Sequence, residues 1–168
     1  MTLKITDENN VDRLLNELKK LSSRTIQVGI LGKEKSDILL IANANEFGVS
    51  ITVTPKMRGY LAVNGLHLKK STKEINIPER SYIRKGADAI RKRVERFSIE
   101  RLASVYDFSI SSEQYLEQIG EYATGLIRNY MTNKRIPPNH PYTVEQKQST
   151  NPLIDTGRLR SSITFEVI

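Results

Sequence analysis

The sequence contains no cysteine, which excludes disulfide bonds, thiol catalysis and thiolate metal sites together. Tryptophan is also absent and aromatic residues make up only 7%, so no platform for stacking nucleic-acid bases is apparent. No apolar run approaches the roughly 18 residues of a membrane span. The first ten residues are polar and do not resemble a signal peptide. We therefore expect a protein of a reducing cytosol, with no membrane partner.

The composition indicates one soluble domain, residues 1–168, with an excess of positive charge. The chain has 26 Lys and Arg against 19 Asp and Glu, a net charge of +7. A basic balance favours an acidic partner, which is nucleic acid, an anionic surface or an acidic protein. The alternative is that the charge only keeps the protein soluble. Both interpretations stay open at this point.

Hydrophobic periodicity predicts an α+β fold in which two long antiparallel helices pack on one mixed or antiparallel sheet. Ser111 and Gln114 resemble a capping box that opens the second long helix. The predicted elements, in chain order, are a helix at 11–21, a strand at 25–31, a helix at 38–47, long helices at 83–105 and 116–130, a short helix at 155–162 and a strand at 163–167.

Two segments are predicted to project from this domain. Asn64-Gly65 is the strongest short-range hairpin signal, so residues 49–77 are predicted to form a β-hairpin insertion that ends before Pro78. Residues 133–152 contain four prolines and many polar side chains, which predicts an extended loop or arm with a helical turn near 144–148. We expect this arm to be mobile until a partner orders it.

No pattern in the sequence predicts catalytic, cofactor-binding or metal-binding residues. Asp155-Thr156-Gly157 matches the tripeptide of aspartic proteases, but the adjacent Arg158 would hold the carboxylate ionised, so we interpret Asp155 as a helix cap. His67 and His140 lie far apart in the sequence. Two histidines are fewer than the three or four protein ligands that a zinc site requires. We therefore expect a protein that is not an enzyme.

The basic stretch 80–101 is the candidate nucleic-acid surface of the sequence. Acidic residues interleave with it at spacings of three and four, as in Arg84–Asp88, Asp88–Lys92, Arg91–Glu95 and Arg96–Glu100. This spacing is typical of an ion-paired, solvated helix face, which we favour over phosphate binding.

Five segments, in order, resemble the tail-completion or tail-component family of long-tailed bacteriophages, which includes virion morphogenesis proteins. They are VGILG at 28–32, IANANEFG at 41–48, IPERSYIR at 77–84, IGEYATGLIRNYM at 119–131 leading to Pro137-Pro138-Asn139, and NPLIDTGRLRSSI at 151–163. The last segment is the most specific. The chain departs from the family at Asn45, where histidine is frequent, and at Ser81-Tyr82, where Pro-Phe is frequent.

The resemblance implies a structural virion protein that forms a homo-oligomeric ring, a hexamer in the family, in the neck at the top of the viral tail. Such a ring takes part in head–tail joining, between the tail terminator and the head connector, with DNA in its lumen bound without sequence specificity. Virion assembly would take place in the host cytoplasm. Alternative assignments are a tail terminator, a head-connector adaptor protein or a basic DNA-binding module.

The resemblance also singles out residues as family-signature or assembly positions. They are Glu46, Phe47, Gly48, Pro78, Arg80, Arg84, Asp155, Thr156, Gly157, Arg158 and Leu159. We expect Gly48 to leave a helix with positive φ, and Pro78 to end the hairpin and set the entry to the long helix. Arg80 and Arg84 are expected to pair with an acidic neighbouring subunit or with a carboxylate cluster. Asp155, Thr156 and Gly157 are expected to organise the last helix.

Overall fold

The computed structural model describes residues 10–32 and 36–168, which form the predicted α+β domain. Within these residues the helices are α1 (Val11–Ser23), α2 (Ser36–Phe47), α3 (Pro55–Val63), α4 (Arg84–Tyr106), α5 (Ser112–Asn133), α6 (Pro141–Lys147) and α7 (Arg158–Ser161). The strands are β1 (Ile26–Gly29), β2 (Val49–Thr52), β3 (Glu74–Ile77) and β4 (Thr164–Val167). No helix in the described part of the chain is long and apolar enough to cross a membrane.

Helices α4 and α5 run antiparallel at the centre of the fold, as the short link between them predicts. Ser111 and Gln114 form the predicted capping box at the start of α5. Phe97 and Tyr122 stack across the two helices with their ring centroids 4.1 Å apart. The apolar core consists of Ile38, Ala42, Tyr82, Ile90, Ala123, Leu126, Ile127, Met131, Leu153, Leu159 and Ile163.

The strands form two antiparallel sheets of two strands each, where one sheet was predicted. Strand β1 pairs with the C-terminal strand β4, and Val28 lies opposite Phe165. This sheet packs on α5 at Gly120, where a methyl group would overlap the Phe165 ring. Strand β2 pairs with β3. Each strand is four residues long and pairs with one other strand, so each sheet has two strands.

The insertion 49–77 has paired strands at its ends, as a hairpin would, but its centre is helical. Thr54 caps α3 by accepting a backbone N–H of the first turn, and Pro55 occupies the first helical turn. Asn64 and Gly65, the latter with φ +91°, follow the end of α3. The prediction of a hairpin turn at Asn64-Gly65 is therefore wrong, because the same residue types also end helices.

The arm 133–152 contains helix α6 close to the predicted helical turn, and hydrogen bonds hold it to the domain. The Asn151 side-chain amide donates to the carbonyl of Thr132 at 2.7 Å. The Lys147 ammonium donates to the carbonyls of Asn151 at 2.6 Å and Ile154 at 2.9 Å. The mobility of the arm in the free protein stays a prediction, and these contacts oppose it.

The carboxylate of Glu17 joins α1 to the start of α5. The backbone N–H of Ser112 donates to it at 2.9 Å, the Ser112 hydroxyl also hydrogen-bonds to it, and Lys20 lies 3.1 Å away. The hydrogen bonds from the Ser112 hydroxyl and backbone, followed by that from Lys20, lower the pKa of Glu17 to about 2. This carboxylate therefore stays charged at acidic pH values where an unperturbed glutamate would be protonated.

Glu17→Gln is expected to flatten the acid branch of the stability curve. Because the folded-state pKa of Glu17 is depressed, its contribution is present above the ordinary glutamate range and is lost as the pH falls toward about 2. Melting midpoints measured across this range by circular dichroism test the effect. The matched control is Glu121→Gln, an exposed position on α5. If the melting midpoints of wild type and Glu17→Gln fell equally with decreasing pH, the role of Glu17 would be contradicted.

Candidate functional site

The buried carboxylate of Glu46, in the last turn of α2, binds the start of α4. One of its oxygens accepts the backbone N–H groups of Tyr82 at 2.8 Å and Ile83 at 3.0 Å. The other accepts the Ser81 hydroxyl at 2.7 Å and the backbone N–H of Arg84 at 3.0 Å. Helix α4 has no side-chain cap of its own. A carboxylate from another helix therefore satisfies its free N–H groups and faces the positive end of its dipole.

Glu46 is ionised, and its oxygens are occupied by these donors. Burial alone would raise its pKa, but hydrogen bonds, led by those from Ile83 and Ser81, outweigh burial and lower the pKa. The Arg84 guanidinium adds a contact of 3.1 Å to Glu46 and lies 4.7 Å from the centre of the Phe47 ring. The arrangement suits a structural anion and does not suit a general base, whose oxygen must be free to take a proton.

Arg80 is a second buried charge, only 5% exposed. Its guanidinium donates to the carbonyls of Pro137 at 2.9 Å and Pro138 at 3.0 Å, and its backbone N–H donates to the carbonyl of Asn45 at 2.7 Å. Within its own chain Arg80 thus binds carbonyl groups of the arm, and its pairing with an acidic neighbouring subunit stays a prediction. Arg84 does pair with carboxylates, but they belong to its own chain.

Gly48 has the predicted backbone role at the edge of this cluster, and Pro78 ends β3 as predicted. Gly48 follows α2 with φ +73°, and Pro78 directly follows the last residue of β3. A Cβ at Gly48 would lie 2.9 Å from the backbone nitrogen of Glu79 and 3.0 Å from the carbonyl oxygen of Ile77. The glycine thus allows both the turn and the close packing of the chain after β3. The entry to α4 is set by Glu46 more than by Pro78.

Gly48→Ala is expected to lower the free energy of unfolding by roughly 1–2 kcal/mol, since a methyl group there meets both a positive φ and rigid backbone. Gly125→Ala is the matched control, because Gly125 lies inside α5 with open space around its Cα. That change should stabilise by about 0.5–1 kcal/mol. Urea denaturation measures both, and a stabilising effect of Gly48→Ala would contradict the packing described.

The predicted cap at Asp155 is wrong. Helix α7 begins at Arg158, and Gly157, with φ +82°, precedes it without a side-chain cap. Asp155 and Thr156 are exposed at the surface. The turn before α7 is organised instead by Asn151, whose side-chain oxygen accepts the N–H groups of residues 153 and 154 at 2.9 and 3.1 Å. Asparagine is a typical turn residue, but the sequence analysis did not predict this role for Asn151.

Other signature residues of the last segment connect α7 to α2 and to the core. Arg158 pairs with Asp37 at 2.8 Å, and Leu159 is buried. His140 caps α6 by accepting the backbone N–H of Tyr142 at 3.3 Å. Within residues 10–32 and 36–168, no three His, Asp or Glu side chains form a group that could hold a metal ion.

The basic stretch on α4 is largely ion-paired. Arg96 pairs with Glu100 at 3.7 Å as predicted, and Arg91 pairs with Asp88 at 3.3 Å in place of the predicted Glu95. Among the residues that the structure describes, the predicted pairs Arg84–Asp88 and Asp88–Lys92 do not form, because Arg84 binds Glu46 and Glu79 and Asp88 binds Arg91. Near the start of α4, Lys85 lies 3.8 Å from Glu79. These contacts support the interpretation of α4 as a solvated, salt-bridged face.

The five segments that resemble the phage family meet around this cluster. Segment 41–48 supplies Glu46, segment 77–84 supplies its donors, and the loop that follows segment 119–131 supplies the carbonyls bound by Arg80. Segment 28–32 borders the same cluster across a cleft of about 500 Å³. Segment 151–163 packs through α7 on α2. Residues far apart in the chain thus form one structural unit.

Comparison with known proteins adds no relative to this description. No protein-family model matches the chain, and no match was found among the curated proteins or the solved structures. Function must therefore be inferred from the five segments and from the geometry of the cluster that they form.

Proposed function

We propose that this protein is a structural component of a long-tailed bacteriophage virion, which forms a ring in the neck and helps to join tail to head around the DNA channel. The observation that carries the proposal is that the five segments pack together as one structural unit, built around the cluster of Glu46 and Arg80. In that cluster the buried charges of Glu46 and Arg80 bind the chain's own backbone. Such groups determine the shape of a subunit, which is the property that assembly requires, and leave no free acid–base pair for catalysis.

The two departures from the family pattern at Ser81-Tyr82 fit the same cluster. The Ser81 hydroxyl adds a donor to Glu46 at 2.7 Å. Tyr82 is fully buried, and its hydroxyl has no hydrogen-bond partner among the described residues. A buried ring without a partner for its hydroxyl is what a site suited to phenylalanine would give. These contacts support the resemblance at positions where the residue types differ.

An exposed apolar surface on α2 supports self-association. The helix carries apolar residues on all sides, and only the side with Ile38 and Ala42 is in the core. Leu40 is 72% exposed and Phe47 is 59% exposed. With Val49 and other residues of β2 and β3 they line an apolar groove of about 720 Å³. A helix that is apolar on all sides is normally buried on all sides, so we assign this groove to the next copy in the ring.

Leu40→Glu is expected to weaken ring formation at least tenfold, because a charge would be buried in the contact. The matched control is Ile99→Glu on α4, since Ile99 is also 72% exposed. Sedimentation velocity over a range of concentrations measures the association of both variants and of the wild type. A wild type that stays monomeric throughout, or equal effects of the two variants, would contradict the assignment.

The proposed place in the virion is tested in the phage itself. A nonsense mutation in this gene should yield DNA-filled heads and complete tails that do not join, and an antibody against the protein should label the head–tail junction of wild-type particles. Overlong tails would indicate a tail terminator instead, and heads that lose their DNA would indicate a connector adaptor. Normal joined particles, or label elsewhere on the virion, would overturn the proposal.

A further inference from the structure

Residues 53–73, which we call the α3 lobe, project between β2 and β3, and none of them is buried. The lobe is nevertheless a folded unit, because one arginine connects its two halves. The Arg58 guanidinium donates to the carbonyls of Leu68 at 3.1 Å, Lys69 at 2.9 Å and Thr72 at 2.6 Å. The exposed side chains of the lobe are therefore held on a defined scaffold.

The α3 lobe holds most of the excess charge of the protein. It contains five basic residues and no acidic residue, a charge of +5 out of the net +7 of the chain. Four of the five are exposed lysines, and none of their ammonium groups forms an ion pair or hydrogen bond within residues 10–32 and 36–168. They are Lys56, Lys69, Lys70 and Lys73. The flanking acid, Glu74, accepts the Ser50 hydroxyl at 2.9 Å.

Helix α4, the basic stretch indicated by the sequence, differs in this respect. Its arginines at 84, 91 and 96 lie next to carboxylates at 3.1, 3.3 and 3.7 Å. Paired charges attract a polyanion less, because each contact with a phosphate must compete with a carboxylate already present. The α3 lobe therefore carries more unpaired positive charge than α4, where Lys92 and Arg93 are the basic side chains without an ion pair or hydrogen bond among the described residues.

We propose that the α3 lobe binds the phosphate backbone of double-stranded DNA without reading its sequence. Lysine is depleted at protein–protein interfaces, and protein surfaces usually interleave both signs of charge, so four unpaired lysines fit a uniform polyanion better than an acidic protein. Flexible ammonium groups can contact phosphates but do not by themselves distinguish base edges. The inference deepens the proposed function and rests on it for the choice of DNA as the polyanion.

The test compares two variants of equal net charge. The lobe variant combines four substitutions, Lys56→Gln, Lys69→Gln, Lys70→Gln and Lys73→Gln. The control variant replaces four basic residues of α4 with glutamine. The control positions are Arg91, Lys92, Arg93 and Arg96. Fluorescence anisotropy with a random-sequence duplex of about 30 base pairs measures binding from roughly 50 to 200 mM salt. Both proteins have lost four positive charges, so a difference in their DNA affinity shows the effect of where those charges lie.

We expect the lobe variant to bind at least tenfold more weakly than wild type at the lowest salt. The plot of the logarithm of its DNA association constant against the logarithm of salt concentration should be less steep by about 3, since each phosphate contact contributes roughly 0.9 to the slope. The α4 control should stay within about threefold of wild type, with an unchanged slope. The melting midpoint of the lobe variant should match that of wild type, because the four exposed ammonium groups form no ion pair or hydrogen bond within residues 10–32 and 36–168.

Equal losses in the two variants would overturn the inference, since net charge alone would then explain binding. Absence of wild-type binding at the lowest salt would also overturn it. Displacement of the duplex by poly-glutamate as readily as by unlabelled DNA would assign the lobe to an acidic protein instead. Sedimentation velocity separates this result from the ring proposal, because rings that form without DNA binding would overturn only the assignment of the lobe.

Discussion

Glu46→Ala is expected to lower the free energy of unfolding by about 3–5 kcal/mol, the largest effect of any single substitution considered for this protein. The change leaves the N–H groups of Tyr82, Ile83 and Arg84 without the carboxylate that accepts them. Unsatisfied buried donors cost about 1–3 kcal/mol each, and some are recovered by water that enters the space. Helix α4 would also lose the negative charge at its positive end.

Urea denaturation at neutral pH measures this effect, and Glu79→Gln is the control. Glu79 pairs with the same arginine, Arg84, at 3.2 Å, but its side chain is 44% exposed. An exposed pair is worth about 0–1 kcal/mol, so the control should change stability little. Similar losses in Glu46→Ala and Glu79→Gln would show that the carboxylate of Glu46 does not hold the start of α4.

The pH dependence gives a second readout of Glu46. Burial opposes ionisation, but the hydrogen bonds to the carboxylate lower its pKa, so its stabilising contribution is present at neutral pH and is lost as the pH falls below the ordinary glutamate range. Glu46→Gln should therefore lose less stability than wild type on acidification. An equal or steeper loss in the variant would place the titrating group elsewhere.

The sequence predicted the four longer helices well because their signals are local. The starts and ends of α2 and α5 lie within a few residues of the prediction, and the capping box at Ser111 is present. Helix α3 was missed because Asn64-Gly65 suits both a hairpin turn and a helix end. The Thr54-Pro55 start signal would have favoured the helix.

The cluster around Glu46 could not be derived from local patterns. Its donors lie 35–38 residues away in the sequence, and the partners of Arg80 lie 57 and 58 residues away. The resemblance identified these residues as important and predicted either an acidic neighbouring subunit or a carboxylate cluster as the partner of the arginines, and Arg84 pairs with two carboxylates of its own chain. Only the packing of α2 against the start of α4 shows that the charges are satisfied internally. At Asp155 a local rule failed, because the helix begins three residues later than predicted.

Arg80→Lys is expected to destabilise the protein by roughly 2–3 kcal/mol and to release the arm 133–152. The guanidinium now reaches the carbonyls of Pro137 and Pro138 and the side-chain oxygen of Asn45 from one buried position. A lysine ammonium keeps the charge but cannot reproduce this planar fork of donors, so part-buried hydrogen bonds to the arm would be lost. The cost should appear in urea denaturation as a lower midpoint with an unchanged slope.

Limited trypsin digestion tests the release of the arm directly, because Lys134 and Arg135 lie at its start. The Arg80→Lys variant should be cut there at least tenfold faster than wild type, under conditions in which both proteins are folded. Arg96→Lys is the control, since the same change on the exposed face of α4 should alter neither stability nor cleavage. Rapid cleavage of the wild type in this segment would show instead that the arm is mobile in the free protein despite its hydrogen bonds. In that case ordering of the arm would have to come from assembly, and Arg80 would act only after a partner binds.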